Sequence, residues 1–268
     1  MRTLRLFKRK IMTDQIKPKR ARGIYLLPNL FTTAALFAGF YAIVAAMNGQ
    51  YVAAPVAIFI AMVLDGLDGR VARMTNTQSA FGAEYDSLSD MVSFGLAPAL
   101  VVYAWSLENL GKLGWLAAFI YAAAAALRLA RFNTQVDGAD KRFFQGLASP
   151  SAAAIVAGLV WVCHDLGLEG ATMRWAAFVL TLIAGLLMVS NIRYHSFKGL
   201  DLRGKVPFVA ILVVVLVYVT ITIDPPKVLF FGFLLYALSG PVMTVYLLQR
   251  KRRGRQQDSS GTPPPADI

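Results

Sequence analysis

The sequence predicts an all-α, polytopic membrane helix bundle of about eight transmembrane helices with both termini on the cytoplasmic side. Three observations carry this. The 268 residues are 57% hydrophobic and only 16% charged, with a mean hydropathy of +0.55, which is too apolar for a soluble domain of this length. The apolar residues fall in runs of roughly 20, the length a helix needs to cross a bilayer. Most of the +12 net charge lies beside those runs, as topology and anionic lipid head groups require, and not in a nucleic-acid-binding patch.

Residues 1–23 form a basic arm containing Arg2, Arg5, Lys8, Arg9, Lys10, Lys17, Lys19, Arg20 and Arg22. No apolar core follows within its first dozen residues, so it reads as a cytoplasmic arm lying on the anionic leaflet and not as a cleaved signal peptide. Gly23 to Asn29 is expected to be a short interfacial helix ended by Pro28. Eight spans are predicted at roughly 30–47, 51–73, 84–105, 113–132, 148–166, 173–191, 206–223 and 227–249. With the N-terminus inside, the inner loops carry Arg70, Arg73, Lys141, Arg142, Arg193, Lys198, Arg203 and Lys205, and the C-terminal end adds the basic run from Arg250 to Arg255. The outer loops hold mixed charges: Glu108 with Lys112, Asp165 with Glu169 and Arg174, and Asp224 with Lys227. That asymmetry sets the orientation. The division expected is a basic arm at 1–23, a membrane domain at 24–249 and a basic stop with a disordered tail at 250–268. Cys163, the single cysteine, excludes an intrachain disulfide and reads as a packing residue. His164 and His195 have no partners at metal-ligand spacing, and Trp105, Trp115, Trp161 and Trp175 fall near span ends, as an interfacial belt would.

The chemistry concentrates between Asp65 and Asp90 (DGLDGRVARMTNTQSAFGAEYDSLSD). Asp65 and Asp68 are three apart and Asp86 and Asp90 four apart, so each pair shares one helix face. Between them lie Arg73, a polar turn from Thr75 to Gln78, and Gly82. If the two helices run antiparallel, Asp65 and Asp90 meet at one level and Asp68 and Asp86 about one turn below. The spacing predicts a four-carboxylate cage just inside the membrane. Each intramembrane carboxylate costs about 2.5–3.5 kcal/mol at the bilayer centre, and four together repel. Arg70 and Arg73 offset part of the charge, and two divalent cations would cancel all four negatives. The ligands are hard oxygens with no His or Cys nearby, which favours Mg²⁺ or Mn²⁺ over Zn²⁺. A hairpin whose acids merely cap helices or pair with basic residues is the plainer alternative, but caps need one acid per helix start, not two per face.

The pattern D-G-x-x-D-G-x-x-A-R, eight residues, G-x-x-x-D-x-x-x-D is met by Asp65, Gly66, Asp68, Gly69, Ala72, Arg73, Gly82, Asp86 and Asp90. In this the chain resembles the CDP-alcohol phosphotransferase family. The resemblance implies that Asp65, Asp68 and Asp86 hold two metal ions, that Asp90 is the general base and also touches a metal, and that Gly69, Ala72, Arg73, Ser79 and Gly82 line the nucleotide donor. It also implies a homodimer.

The fourth predicted span ends in LRLARFN, with Arg128 and Arg131 three apart on one face and Asn133 just beyond. These are either arginines snorkelling to the interface or an anion pocket for a phosphate or an acceptor carboxylate. LRLARFN, the following loop KRFFQGLASPSAA and the opening RGIYLLPNLFT resemble the serine-accepting branch of the family, which has Pro where Ala148 stands. That branch implies CDP-diacylglycerol as donor and L-serine as acceptor, with Arg128, Arg131 and Asn133 the candidate residues around the acceptor; the charge asymmetry puts the site on the cytoplasmic side of what is expected to be a bacterial inner membrane. The acid motif handles only the donor, so glycerol 3-phosphate or an inositol compound stays open as acceptor. A cation transporter is the rival from another class, although no spans look broken in paired halves at the midplane.

Overall fold

The computed structural model describes residues 26–134, 143–195 and 208–259. The basic arm, Lys141, Arg142, Lys198, Arg203, Lys205 and the last residues of the tail lie outside these. The described chain is almost wholly helical: α1 (Leu26–Met47), α2 (Ala53–Thr75), α3 (Ala80–Trp105), α4 (Lys112–Thr134), α5 (Ser149–Asp165), α6 (Gly170–Val189), α7 (Phe208–Ile223) and α8 (Pro225–Ser259). Each predicted span coincides with one of these helices. Five are long and apolar enough to cross a bilayer, over Leu27–Met47, Ala80–Trp105, Lys112–Thr134, Gly170–Val189 and Pro225–Thr244. Of the others, α2 carries Asp65, Asp68, Arg70 and Arg73 in its second half, while α5 and α7 have 17 and 16 residues. The membrane character therefore holds for these five helices by length and composition.

Four local features differ from the sequence reading. Pro28 does not end a separate interfacial helix: it sits in the first turn of α1, where a missing N–H breaks no internal bond. A short antiparallel ribbon joins two loops, with Phe143 opposite His195 and Gln145 opposite Arg193; three-residue strands leave too little pattern to read. Trp105 is buried in the core instead of joining an interfacial belt, whereas Trp115 and Trp175 are exposed. The helix of α8 also runs on to Ser259, past Gly254.

The core is built largely from alanine. Ala35, Ala38, Ala42 and Ala45 of α1 are buried with Ala54, Ala57, Ile58 and Ala61 of α2, and these two helices share the most extensive contact in the fold. Small side chains allow the close backbone approach on which helix pairs in lipid depend. Gly39 shows how close: a Cβ there would lie 2.5 Å from Ser93 Oγ and 2.7 Å from Ser93 Cα, so α3 crosses α1 against bare backbone.

Within α3, residues Met91–Leu96 form a π-helical turn directly after Asp90. Such a turn shifts the hydrogen-bond ladder and strands carbonyl groups. Here Tyr121 of α4 donates to the Phe94 carbonyl at 3.1 Å. Ser93 in turn donates to the Ala35 carbonyl of α1 at 3.0 Å. The irregular turn is thus clamped from both sides.

Candidate active site

The hairpin of α2 and α3 brings the acids together. Helix α2 ends at Thr75, with Asn76 in a left-handed conformation (φ 50°) as its C-cap, a backbone geometry Asn tolerates better than most residues. Helix α3 starts at the N-cap Ser79, whose hydroxyl accepts from the Gly82 N–H at 3.0 Å. The intervening turn is short, so the antiparallel arrangement expected from the spacing follows directly.

Oxygens of Asp65, Asp68 and Asp86 lie within 4.8 Å of one another. Asp90 adjoins Asp65, and Asp86 adjoins both Asp65 and Asp68. The deep pair and the shallow pair therefore meet as the helix arithmetic predicts, with three oxygens gathered tightly and Asp90 beside them. Asp68 is buried and the other three are half-buried. No direct ion pair neutralises any of them among the described residues, where the pair formed is Asp224 with Lys227 at 2.6 Å. Asp86 Oδ1 is buried and has no hydrogen-bond partner there. Clustered hard oxygens, one orphaned atom and no direct ion pair fit a divalent cation.

Beside the acids the surface is open. A Cβ on Gly66 would meet nothing within 4 Å, and one on Gly69 would come no nearer than 3.9 Å to Arg73 Nη1. Ala72 is half-buried and Arg73 exposed. Gly82 is different: a Cβ there would press on Ser79 Oγ at 3.1 Å and approach Asn29 Oδ1 at 3.6 Å, so its smallness serves the helix start. Ser79 is exposed and engaged as a cap.

The arginines come from α4. Arg128 donates through Nη1 to Ser149 Oγ at 2.7 Å, while its buried Nε has no partner among the described residues. Asp90, Tyr236 and Tyr121 are titratable groups close enough to interact with it. Arg131 is held differently, donating to Asn191 Oδ1 at 2.8 Å and to Gln145 Oε1. Asn133 donates to Ser87 Oγ of α3 at 3.1 Å. The loops that supply Gln145 and Asn191 are joined by the ribbon, and Tyr194 pins that ribbon by donating to the Ala237 carbonyl of α8 at 3.0 Å.

Several residues here were not singled out by sequence reasoning. Thr32 of α1 donates to Asp68 Oδ2 at 2.7 Å, Ser87 bonds Asn133, and Gln145, Asn191, Tyr121 and Tyr236 lie by the arginines. Thr32 carried a usable signal as a polar side chain inside an apolar span; the others are polar groups at helix ends or aromatics, which are common everywhere.

An α2–α3 hairpin with clustered acids, inside an alanine-packed membrane bundle, defines a class. Residues 25–187 match the CDP-alcohol phosphatidyltransferase family model, and the chain belongs to that family. Among curated proteins it is similar to the CDP-diacylglycerol–serine O-phosphatidyltransferase of Helicobacter pylori strain J99, 38% identical over 227 residues that span 84% of this chain and 93% of that one. Proteins with the same name are similar to it from Mycobacterium tuberculosis strain H37Rv (40% over 183 residues, 66% and 64% of the two chains) and Methanocaldococcus jannaschii (37% over 142 residues, 53% and 63%).

Proposed function

We propose that the protein transfers the phosphatidyl group of CDP-diacylglycerol to the hydroxyl of L-serine, releasing phosphatidylserine and CMP. The observation that carries this is the carboxylate cluster, without a direct ion pair among the described residues, at the side of an arginine whose Nε has no partner there. The names of the similar proteins support serine as the acceptor.

Asp65, Asp68, Asp86 and, at its edge, Asp90 would hold two divalent ions, Mg²⁺ or Mn²⁺. When bound, these would supply charge stabilisation to the pyrophosphate and to the departing CMP. Asp90 takes the proton from the serine hydroxyl, which is a poor nucleophile at neutral pH. The serine oxygen bonds to the phosphorus that carries diacylglycerol, and the bond from that phosphorus to the CMP oxygen breaks. Arg128 holds the serine carboxylate, with Nη1 fixed on Ser149 and Nε available for a charge-assisted bond. Arg131 and Asn133, already bonded to neighbours, shape the rim of that pocket. Gly69 and Ala72 give the nucleotide room along α2, with Arg73 beside it; Ser79 and Gly82 border the donor at the start of α3.

The enzyme is read as an integral protein of a bacterial inner membrane, with eight spans, both termini cytoplasmic and the site facing the cytoplasm. Residues 1–23 form a basic arm on anionic lipids, 24–249 the catalytic domain and 250–268 a basic stop and tail; the active species is a homodimer. The test is CMP release from CDP-diacylglycerol by purified protein with Mg²⁺ or Mn²⁺. Release should require L-serine, ignore glycerol 3-phosphate and inositol, and stop in EDTA. Release driven by another acceptor would remove serine from the reading, and full activity in EDTA would remove the metals.

A further inference from the structure

Thr32 belongs to α1, outside the Asp65–Asp90 stretch, yet it touches both helices that carry the acids. Its hydroxyl lies 2.7 Å from Asp68 Oδ2 and 3.2 Å from the Pro28 carbonyl four residues back. A threonine in a helix ordinarily returns its proton to that earlier carbonyl. Here the shorter contact is the carboxylate, at the length of a charge-assisted O–H···O⁻ bond. The Thr32 carbonyl in turn accepts from Ser89 Oγ of α3 at 3.1 Å, one residue before Asp90. All three side chains are buried: Thr32 is 4%, Asp68 5% and Ser89 2% exposed. Arg73 and the Gly69 amide also approach Asp68, but both belong to α2 itself. Asp86 adjoins Asp68 from α3, but as a fellow acid; Thr32 is the hydroxyl that donates to Asp68 from another helix.

We infer that Thr32 is a positioning residue for the metal site: its hydroxyl fixes the Asp68 carboxylate while its carbonyl fixes the height of α3, so that one residue of α1 sets how the two acid-bearing helices face each other. Outer partners that orient a ligating carboxylate typically change metal affinity by about 10–100-fold when removed. The inference rests on the reading that these carboxylates hold divalent ions. Thr32→Val keeps the shape and removes the proton donor, whereas Thr32→Ser keeps the donor and removes a methyl group.

The experiment is Mn²⁺ binding to detergent-purified, substrate-free protein, read from the loss of free Mn²⁺ signal by electron paramagnetic resonance. Thr32→Val should weaken Mn²⁺ binding about 10-fold or more, with Thr32→Ser within about 2-fold of the wild type. In activity, the Mn²⁺ concentration needed for half-maximal rate should rise in Thr32→Val, while the CDP-diacylglycerol KM at saturating Mn²⁺ moves little. Ser93→Ala, which removes a different α1–α3 bond that touches none of the acids, should lower the melting temperature and leave Mn²⁺ affinity unchanged. Thr32→Val binding as tightly as the wild type would overturn the inference while leaving the metal site intact. So would a folded Thr32→Ser that binds weakly, which keeps the test decisive should the valine variant not fold. Wild-type protein that binds no Mn²⁺ would overturn the metal reading itself and this inference with it.

Discussion

The acid hairpin and the arginine end of α4 are built on opposite plans. In the hairpin, four charged groups come from one stretch of 26 residues, from Asp65 to Asp90, and are left short of partners, down to the orphaned Asp86 Oδ1. Around α4, Arg131 and Asn133 are bonded to Gln145, Asn191 and Ser87, which come from three separate parts of the chain. Arg128 keeps a buried donor, Nε, with no partner among the described residues. Concentrated like charge with no direct ion pair among the described residues asks for something from outside, whereas a network that satisfies itself holds a shape. The difference suggests that the hairpin performs the transfer and that the α4 network selects what receives it.

The sharpest way to break that division is Asp90→Asn. The change keeps the side chain's size beside Asp65 and Arg128 and removes its basicity. Turnover should fall by about 10²–10⁴-fold, the range supplied by a positioned base, while CDP-diacylglycerol binding, measured directly on the purified variant, persists. Retained turnover would confine the hairpin to holding the donor and metals and would move the base elsewhere.

Arg128→Ala probes the other side. A lost charged hydrogen bond is worth about 1.5–3 kcal/mol, so the serine KM should rise about 10-fold or more while the donor KM stays nearly constant. Arg131→Ala should raise the serine KM less, because its guanidinium is already committed to Gln145 and Asn191. Equal rises in both KM values for Arg128→Ala would make it a helix anchor and erase the contrast between the two regions.

The same contrast explains what could be read in advance. The hairpin was legible because helix periodicity and a short turn fix where residues 65, 68, 86 and 90 must meet; the arithmetic needs no tertiary knowledge. The helices coincide with the apolar runs for a similar reason. Counting crossings was harder, since α2 spends its second half on charges and α5 and α7 are short. What stayed hidden depends on long-range approach: Thr32 on Asp68 across 36 residues, the ribbon that carries Gln145 and Asn191 toward Arg131, and the π-turn after Asp90, where Tyr121 donates to the Phe94 carbonyl. Trp105 misled for the opposite reason. Its position near a span end suited a lipid interface, but the packing of that end turned it inward.

Ser79 stands on the border between the two plans and gives the smallest expected effect. As an N-cap it satisfies an otherwise unpaired amide at the start of α3; as a polar turn residue beside the acids it is also a candidate donor contact. Ser79→Ala should cost about 1 kcal/mol of stability, the usual worth of such a cap, read as a lower melting temperature in detergent. Ser79→Asp, a good cap that adds negative charge, should restore that loss. If the cap is its whole role, the CDP-diacylglycerol KM stays unchanged in the alanine variant. A several-fold rise in that KM in Ser79→Ala, deepened in Ser79→Asp by repulsion of the pyrophosphate, would instead draw Ser79 into the donor site and extend the hairpin's chemistry into its turn.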